Sequence, residues 1–481
     1  MPPRGLVVAL PSEPQSLDPR FGTDAYSARL ADLLHAALTR PDTSARRRPE
    51  IAAAWETPDP TTVVFHLRPD FHFADGAPVT AADVRATYEA VLDPALASPK
   101  RAALAMLSRV EAPDAHTVVM RLRAPFAPFL DATGLGILPA DRAHDAGEVR
   151  IGAGPFRVVA AERGERIVLA PNPGWPDGPP RLDPVVVRVI PDEVVRVLEL
   201  VRGGVHLLED APEPELTAWL SRRPDLAVRR GPGDSFDYLA LNLRDPRLAD
   251  RRVREAIALA LDREALIAFV LGGAARPATG LLAPEHWAYT TVAARRYDPR
   301  RARRLLDRAG FRDPDGPGPQ PRFRLVYKTS TQVDRRRLAE AIQAALAQVG
   351  IAVDVRTYEW GTLYADVRQG SFELCALAWV GVGDPDLYRL AFHSTMTPPG
   401  GYNRGAYASR VMDRLTAAGA RTLDTESRRR IYARIQRRAA RDLPVVPLWW
   451  EDRVVTQTAR LHGFEPAPGG DLRGLARAWT E

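Results

Sequence analysis

"FRLVYKTSTQVDRRRLAEAIQAALAQVGIAVDVRTYEW" spans residues 323–360. FRLVYKTS (323–330) and IAVDVRTYEW (351–360) have the β-branched and aromatic content of strands. VDRRRLAEAIQAALAQVG (333–350), between them, reads as a helix that stops at a glycine. The run is therefore a βαβ unit, which builds a parallel sheet through a right-handed crossover. Ligands of open α/β sheets bind beyond the carboxyl ends of the strands.

A third strand follows in "CALAWVGVGDPD" (375–386). Cys375 to Val380 are mostly apolar, and then two glycines and Asp384-Pro385 end regular structure. Strand-end geometry alone makes Lys328, Thr329, Tyr358, Trp360, Trp379 and Gly381 pocket candidates. For Trp379 the pocket reading outweighs the core reading, because it ends a strand beside two glycines. For Tyr358 and Trp360 the two readings balance. Cys375 reads as a buried core thiol, and Trp449-Trp450 as core or hinge packing.

Similar logic orders the rest of the chain. GLVVAL (5–10), TTVVFHLRPD (61–70), HTVVMRLRAPF (116–126) and FDYLALNLRD (236–245) read as strands. Residues 152–175 form a hairpin turning near Arg163-Gly164. After the Asp75-Gly76 turn, Thr80 caps a helix with Asp83 in capping-box position, and Val84, Tyr88 and Val91 share its inner face. Residues 192–205 form an amphipathic helix, and 249–273 one capped helix with Val253, Ile257, Ala260 and Leu261 inward. Residues 298–311 make a helix with Asp298 as cap, Pro299 in its first turn and Gly310 as stop.

The chain has 481 residues, 45% hydrophobic and 26% charged, which is ordinary for a soluble globular protein of about three typical domains. Its 44 prolines predict many turns and few very long helices. The net charge of +6 is a small excess over 60 acidic residues. Arg-dense runs such as RRYDPRRARRLLDR (295–308) are interleaved with Asp and read as solvated helix faces, not a nucleic-acid footprint. One cysteine excludes an intrachain disulfide and a Cys-based metal site. The nine histidines form no H-x-x-x-H or H-x-H pair, so no metal or cofactor is expected. No apolar run reaches the ~18–20 residues of a membrane span. No phosphate-binding loop, nucleophile elbow or H-E-x-x-H is present, and GAGPF (152–156) fails as G-x-G-x-x-G because Arg157 holds the last position.

In their order, EPQSLDP (13–19), FADGAPVTAADV (73–84), GAGPF, NPGW (172–175), LALNLRDPRLADRRVREAIALALDRE (239–264), TYEWGTLY (357–364) and the Trp379-to-Asp386 stretch resemble the extracytoplasmic solute-binding proteins of ABC importers, family 5. These proteins serve peptides, nickel chelates and some oligosaccharides. The resemblance covers nearly the whole chain. It implies a two-lobed α/β periplasmic-binding-protein fold, class II, with an extra subdomain in lobe I and a two-strand hinge near Tyr238 and Trp449-Trp450. Lobe I would be 1–40, 151–237 and 451–481, its inserted subdomain 41–150, and lobe II 238–450. The ligand would close the lobes around itself, and the closed form would dock on a membrane permease.

The same resemblance implies an exported monomer, periplasmic or membrane-tethered, whose signal or anchor segment is absent from this chain. It implies no enzyme activity. Family members that bind dipeptides pair the peptide ammonium with an Asp three positions after the Trp; here that position is Val382, and the nearest acids are Asp384 and Asp386. They pair the carboxylate with an Arg where this chain has Thr329, next to Lys328. With Tyr26 and Tyr238 these residues complete the ligand-binding candidates. A pocket without a zwitterion clamp should reject free dipeptides. Oligopeptides held by Trp stacking and by backbone groups at Gly381 and Gly383 fit best. A neutral oligosaccharide on Trp379 and Trp360, or a metal chelate, is the alternative. A hydrolase or a cytosolic sensor on the same fold is more remote.

Overall fold

The computed structural model describes residues 5–145, 147–316 and 318–481. The chain divides into two compact units, Met1–Gly233 with Arg453–Glu481, and Asp234–Asp452. It passes between them within two long strands, Leu226–Leu241 and Val445–Thr458.

In the first unit the strand Leu6–Leu10 is wholly buried and lies between two parallel neighbours, Val185–Val189 and Leu207–Leu208. Burial on both faces suits its unbroken apolar run. The hairpin Phe156–Glu162 and Arg166–Pro171 extends this sheet antiparallel, turning through Gly164 at φ +74°. The returning C-terminal segment completes the other side, with Gln457 opposite Leu207 and Thr456 opposite Leu208.

A separate four-stranded antiparallel sheet, Ala52–Asp59, Thr62–Leu67, Thr117–Leu122 and Leu107–Asp114 in that spatial order, packs against the helix Ala81–Leu92. The Asp83 carboxylate accepts the backbone N–H of Thr80 at 2.7 Å, the return bond of the capping box, and also accepts the Thr80 hydroxyl at 2.7 Å. Val84, Tyr88 and Val91 are fully buried in the same core.

The second unit is built on the βαβ segment. Phe323–Ser330 and Ile351–Tyr358 pair in parallel over their full length, Phe323 opposite Ile351 through Ser330 opposite Tyr358. Leu374–Trp379 lies beside the first of them, parallel at Tyr327 and Leu374. Its other edge pairs antiparallel with Phe236–Leu241, which places Phe236 opposite Trp379. The helix Val333–Ala347 buries Leu338, Ala339, Ile342 and Leu346 against this sheet.

Three expected elements take a different form. Residues 249–273 are not one helix. The chain forms Pro246–Ala249, Arg251–Ala260 and Arg263–Leu271, capped by Asp245, Asp250 and Asp262. Leu261 is extended at φ −92°, because the Asp262 side chain takes the Ala265 N–H and restarts the helix. Short polar side chains compete with the helix ladder in this way. The strand expected from 236 begins at Leu226 and ends at Leu241. The strand after Gly350 ends at Tyr358, and Trp360 opens the helix Trp360–Gln369, capped by Glu359.

Candidate functional site

Strand pairing in the second unit stacks aromatic rings. Phe236 and Tyr238 lie on one face two residues apart, with ring centroids 5.6 Å apart and planes at 10°. Trp379, diagonal to Tyr238 across the ladder, continues the stack at 5.8 Å and 11°. Tyr402 tilts against Trp379 at 5.0 Å. Trp360 stacks on Tyr364, one helical turn along, at 5.6 Å.

Arg404 stands among these rings. Its guanidinium lies 5.0 Å from the centroid of Trp379, 5.5 Å from Tyr364 and 5.6 Å from Tyr402. It donates to the Tyr238 hydroxyl at 3.1 Å and the Tyr364 hydroxyl at 3.5 Å. The loop that carries it is fixed by buried Asn403, which donates to the carbonyls of His393 and Tyr407 and accepts the Tyr407 N–H. Burial pushes the Tyr238 phenol well above its ordinary range, so the group that accepts from Arg404 is a neutral hydroxyl.

The other candidates occupy different situations. Lys328 is ion-paired to Asp366 at 2.6 Å and sits 5.1 Å from the Tyr358 ring centroid. Asp384 is held by Arg428 through two bonds of 2.5 and 2.6 Å. Asp386 is gripped in the same way by Arg389. Desolvation pushes the Asp386 carboxyl above its ordinary value.

Thr329 is buried, and its hydroxyl donates to the Arg335 carbonyl. Val382 packs into the apolar core with Leu377 and Tyr388. The side chains of Thr329 and Val382 therefore face packed protein and do not line an open pocket. Gly381 is exposed at φ +71°, a conformation that favours glycine. The Gly383 carbonyl is not free for a ligand, because His286 bonds it through Nε2 at 2.6 Å. Cys375 is buried, and desolvation pushes its thiol up to about 12. Trp449 and Trp450 lie in the core.

Tyr26 belongs to the first unit, on the helix Ala25–Leu34 capped by Asp24. Its hydroxyl donates to Asp210 at 2.9 Å, and the Arg29 guanidinium lies 5.0 Å from its ring centroid. Arg29 and Arg453 both pair with buried Glu209, and each also reaches Asp210 at 3.4 Å. Burial, aided by Asp210, pushes the Tyr26 phenol up to about 12.

Reasoning from sequence missed Arg404, Tyr402, Tyr364 and Arg428. The stretch GGYNRGAY (400–407), with two tyrosines around an Asn-Arg pair, was the one local signal for the first two.

A mixed α/β chain in two units, with two strands passing between them, has the fold of periplasmic-type binding proteins. The family model for bacterial extracellular solute-binding proteins, family 5 (middle region), matches residues 47–398, and the chain belongs to that family. Protein XP55 of Streptomyces lividans is 30% identical over 97% of this chain and 90% of its own. Di/tripeptide-binding protein 2 of Pseudomonas aeruginosa is 28% identical over 97% and 93%. The oligopeptide-binding protein AppA of Bacillus subtilis, solved with a nonapeptide, superposes with a TM-score of 0.78 at 25% identity, covering 99% and 98% of the two chains. The family is one of binding proteins and is extracellular by description. No helix among the described residues is long and apolar enough to cross a membrane.

Proposed function

We propose that the chain captures oligopeptides and hands them to the membrane permease of an ABC importer. It would work as a monomer, periplasmic or membrane-tethered. Similarity to a di/tripeptide-binding protein and to a nonapeptide-bound AppA supports peptides as the class. One observation carries the preference for longer ones: the two charges that stand nearest in sequence to the dipeptide clamp's positions, Asp384 and Lys328, are already committed. Asp384 is spent on Arg428 and Lys328 on Asp366. Freeing either would leave its partner unpaired at a cost of several kcal/mol.

In this reading Trp379, Tyr358, Trp360, Gly381 and Tyr26 offer ligand contacts. Tyr238 backs the stack from within the core. The two units act as lobes that close on the ligand about the strands near Tyr238 and Trp449. A neutral oligosaccharide is the second reading, favoured by Trp360, which is 53% exposed on Tyr364.

Titration calorimetry with dipeptide, pentapeptide and oligosaccharide pools tests the choice. Micromolar binding is expected from the pentapeptide pool and is lost with Trp379→Ala. Tight dipeptide binding that survives Trp379→Ala but fails with Asp384→Asn would overturn it. Small-angle scattering should show compaction at saturating ligand; an unchanged profile counts against closure.

A further inference from the structure

We propose that Arg404 is the receptor for a carboxylate on the bound solute, a role that rests on the oligopeptide reading above and specifies it. Several charged side chains of the second unit are matched by an opposite charge: Lys328 pairs with Asp366, Asp384 with Arg428, Asp386 with Arg389, and Arg335 with Asp237. Arg404 differs from them. Among the described residues no carboxylate pairs with it, and its neighbours are the rings of Trp379, Tyr364 and Tyr402 and the hydroxyls of Tyr238 and Tyr364.

Ring faces hold a guanidinium in place without neutralising it. Two neutral hydroxyls occupy two of its five N–H donors, so the fork keeps donors for an incoming anion. Partial desolvation between rings strengthens a charge-assisted bond made there. The site is pre-set, because Asn403 locks the loop from both sides and Tyr238 is fixed in the strand stack. It is also reachable, since Tyr402 is exposed and Arg404 and Trp379 are half-buried.

A planar carboxylate fits a planar fork, and a peptide has two sources of one: its C-terminus and an Asp or Glu side chain. The residue that sets ligand charge thus comes from the Tyr402–Tyr407 loop. The strand ends contribute the platform.

The test uses calorimetry on four versions of one pentapeptide that carries a Glu: free acid, C-terminal amide, Glu→Gln, and both changes together. Losing the carboxylate that Arg404 reads should weaken wild-type binding about 10- to 100-fold, the range for a charge-assisted hydrogen bond. The peptide that shows the loss identifies its source. Arg404→Gln should weaken binding of the free acid by the same factor and leave the doubly neutral peptide unchanged; Arg404→Lys should recover part of the loss. A merely structural arginine would weaken all four peptides equally and lower the melting temperature with them, and that outcome overturns the proposal. Equal wild-type affinity for all four overturns it while the oligopeptide reading stands. No binding of any of them by the wild type takes down both.

Discussion

The molecule contains two arginine–tyrosine clusters with opposite economies of charge. In the first unit Arg29 and Arg453 surround Tyr26, and both are neutralised by Glu209 and Asp210. In the second unit Arg404 is enclosed by tyrosines and a tryptophan with no carboxylate partner among the described residues. The same residue types therefore serve different ends. A cluster whose charges are internally matched contributes to the integrity of its unit. A cluster that keeps a cation unmatched contributes chiefly to what it can bind.

The widest separation between the two should appear in stability. Glu209→Ala leaves two largely buried guanidinium groups without their main partner and should cost about 3–5 kcal/mol in denaturant unfolding. Arg404→Gln should cost about 1–2 kcal/mol, because it removes two hydrogen bonds to neutral hydroxyls, one of them long, and the guanidinium's contacts with three rings. Comparable losses in the two variants would erase the distinction.

Asp384→Asn comes next, at about 1–3 kcal/mol, since it breaks the paired bond to Arg428. Pentapeptide affinity should survive that change. A large affinity loss with intact stability would make Asp384 a ligand anchor.

A smaller effect is expected from pH. Burial raises the Asp32 carboxyl to about 7, with Asp471 and Glu50 pushing the same way and Arg473 and Lys100 opposing. The folded protein thus holds this proton more tightly than the unfolded chain. The resulting stability is complete below the ordinary carboxylate value near 4 and is lost as pH rises to about 7. Melting temperature should be higher at pH 5 than at pH 8, and Asp32→Asn should reduce the difference. An unchanged difference in the variant would assign the dependence to other groups. The smallest effect belongs to Tyr364→Phe. It deletes a 3.5 Å contact to Arg404 but keeps the ring, so stability should move by less than about 0.5 kcal/mol.

Much of the fold is legible in the chain because its signals are local. Asp298 and Thr80 cap the helices their positions suggest, and Gly164 and Gly381 turn the chain where expected. The broken helix at Leu261 was not legible from periodicity, since apolar residues continue on both sides and only the cap at Asp262 decides the matter. In the candidate site, the place of Trp379 at a strand end was legible because the strand and its abrupt end lie in one short stretch. Arg404 could not, because its value comes from rings at 238, 364, 379 and 402 that no spacing relates. The commitment of Asp384 depends on Arg428, 44 residues away. Charge in a pocket is a property of pairings, and pairings are settled by tertiary structure.

The return of residues 453–481 to the first unit has a consequence for how the chain matures. The second unit is one continuous segment and can close once residue 452 has been synthesised or translocated. The first unit cannot, because the edge of Leu207–Leu208 is covered only when Thr456 and Gln457 arrive. Until then its sheet presents an unpaired edge beside apolar Leu207 and Leu208, the kind of surface that invites pairing with other chains. Truncation just after residue 452 should therefore yield a protein whose second half is sound and whose first half aggregates.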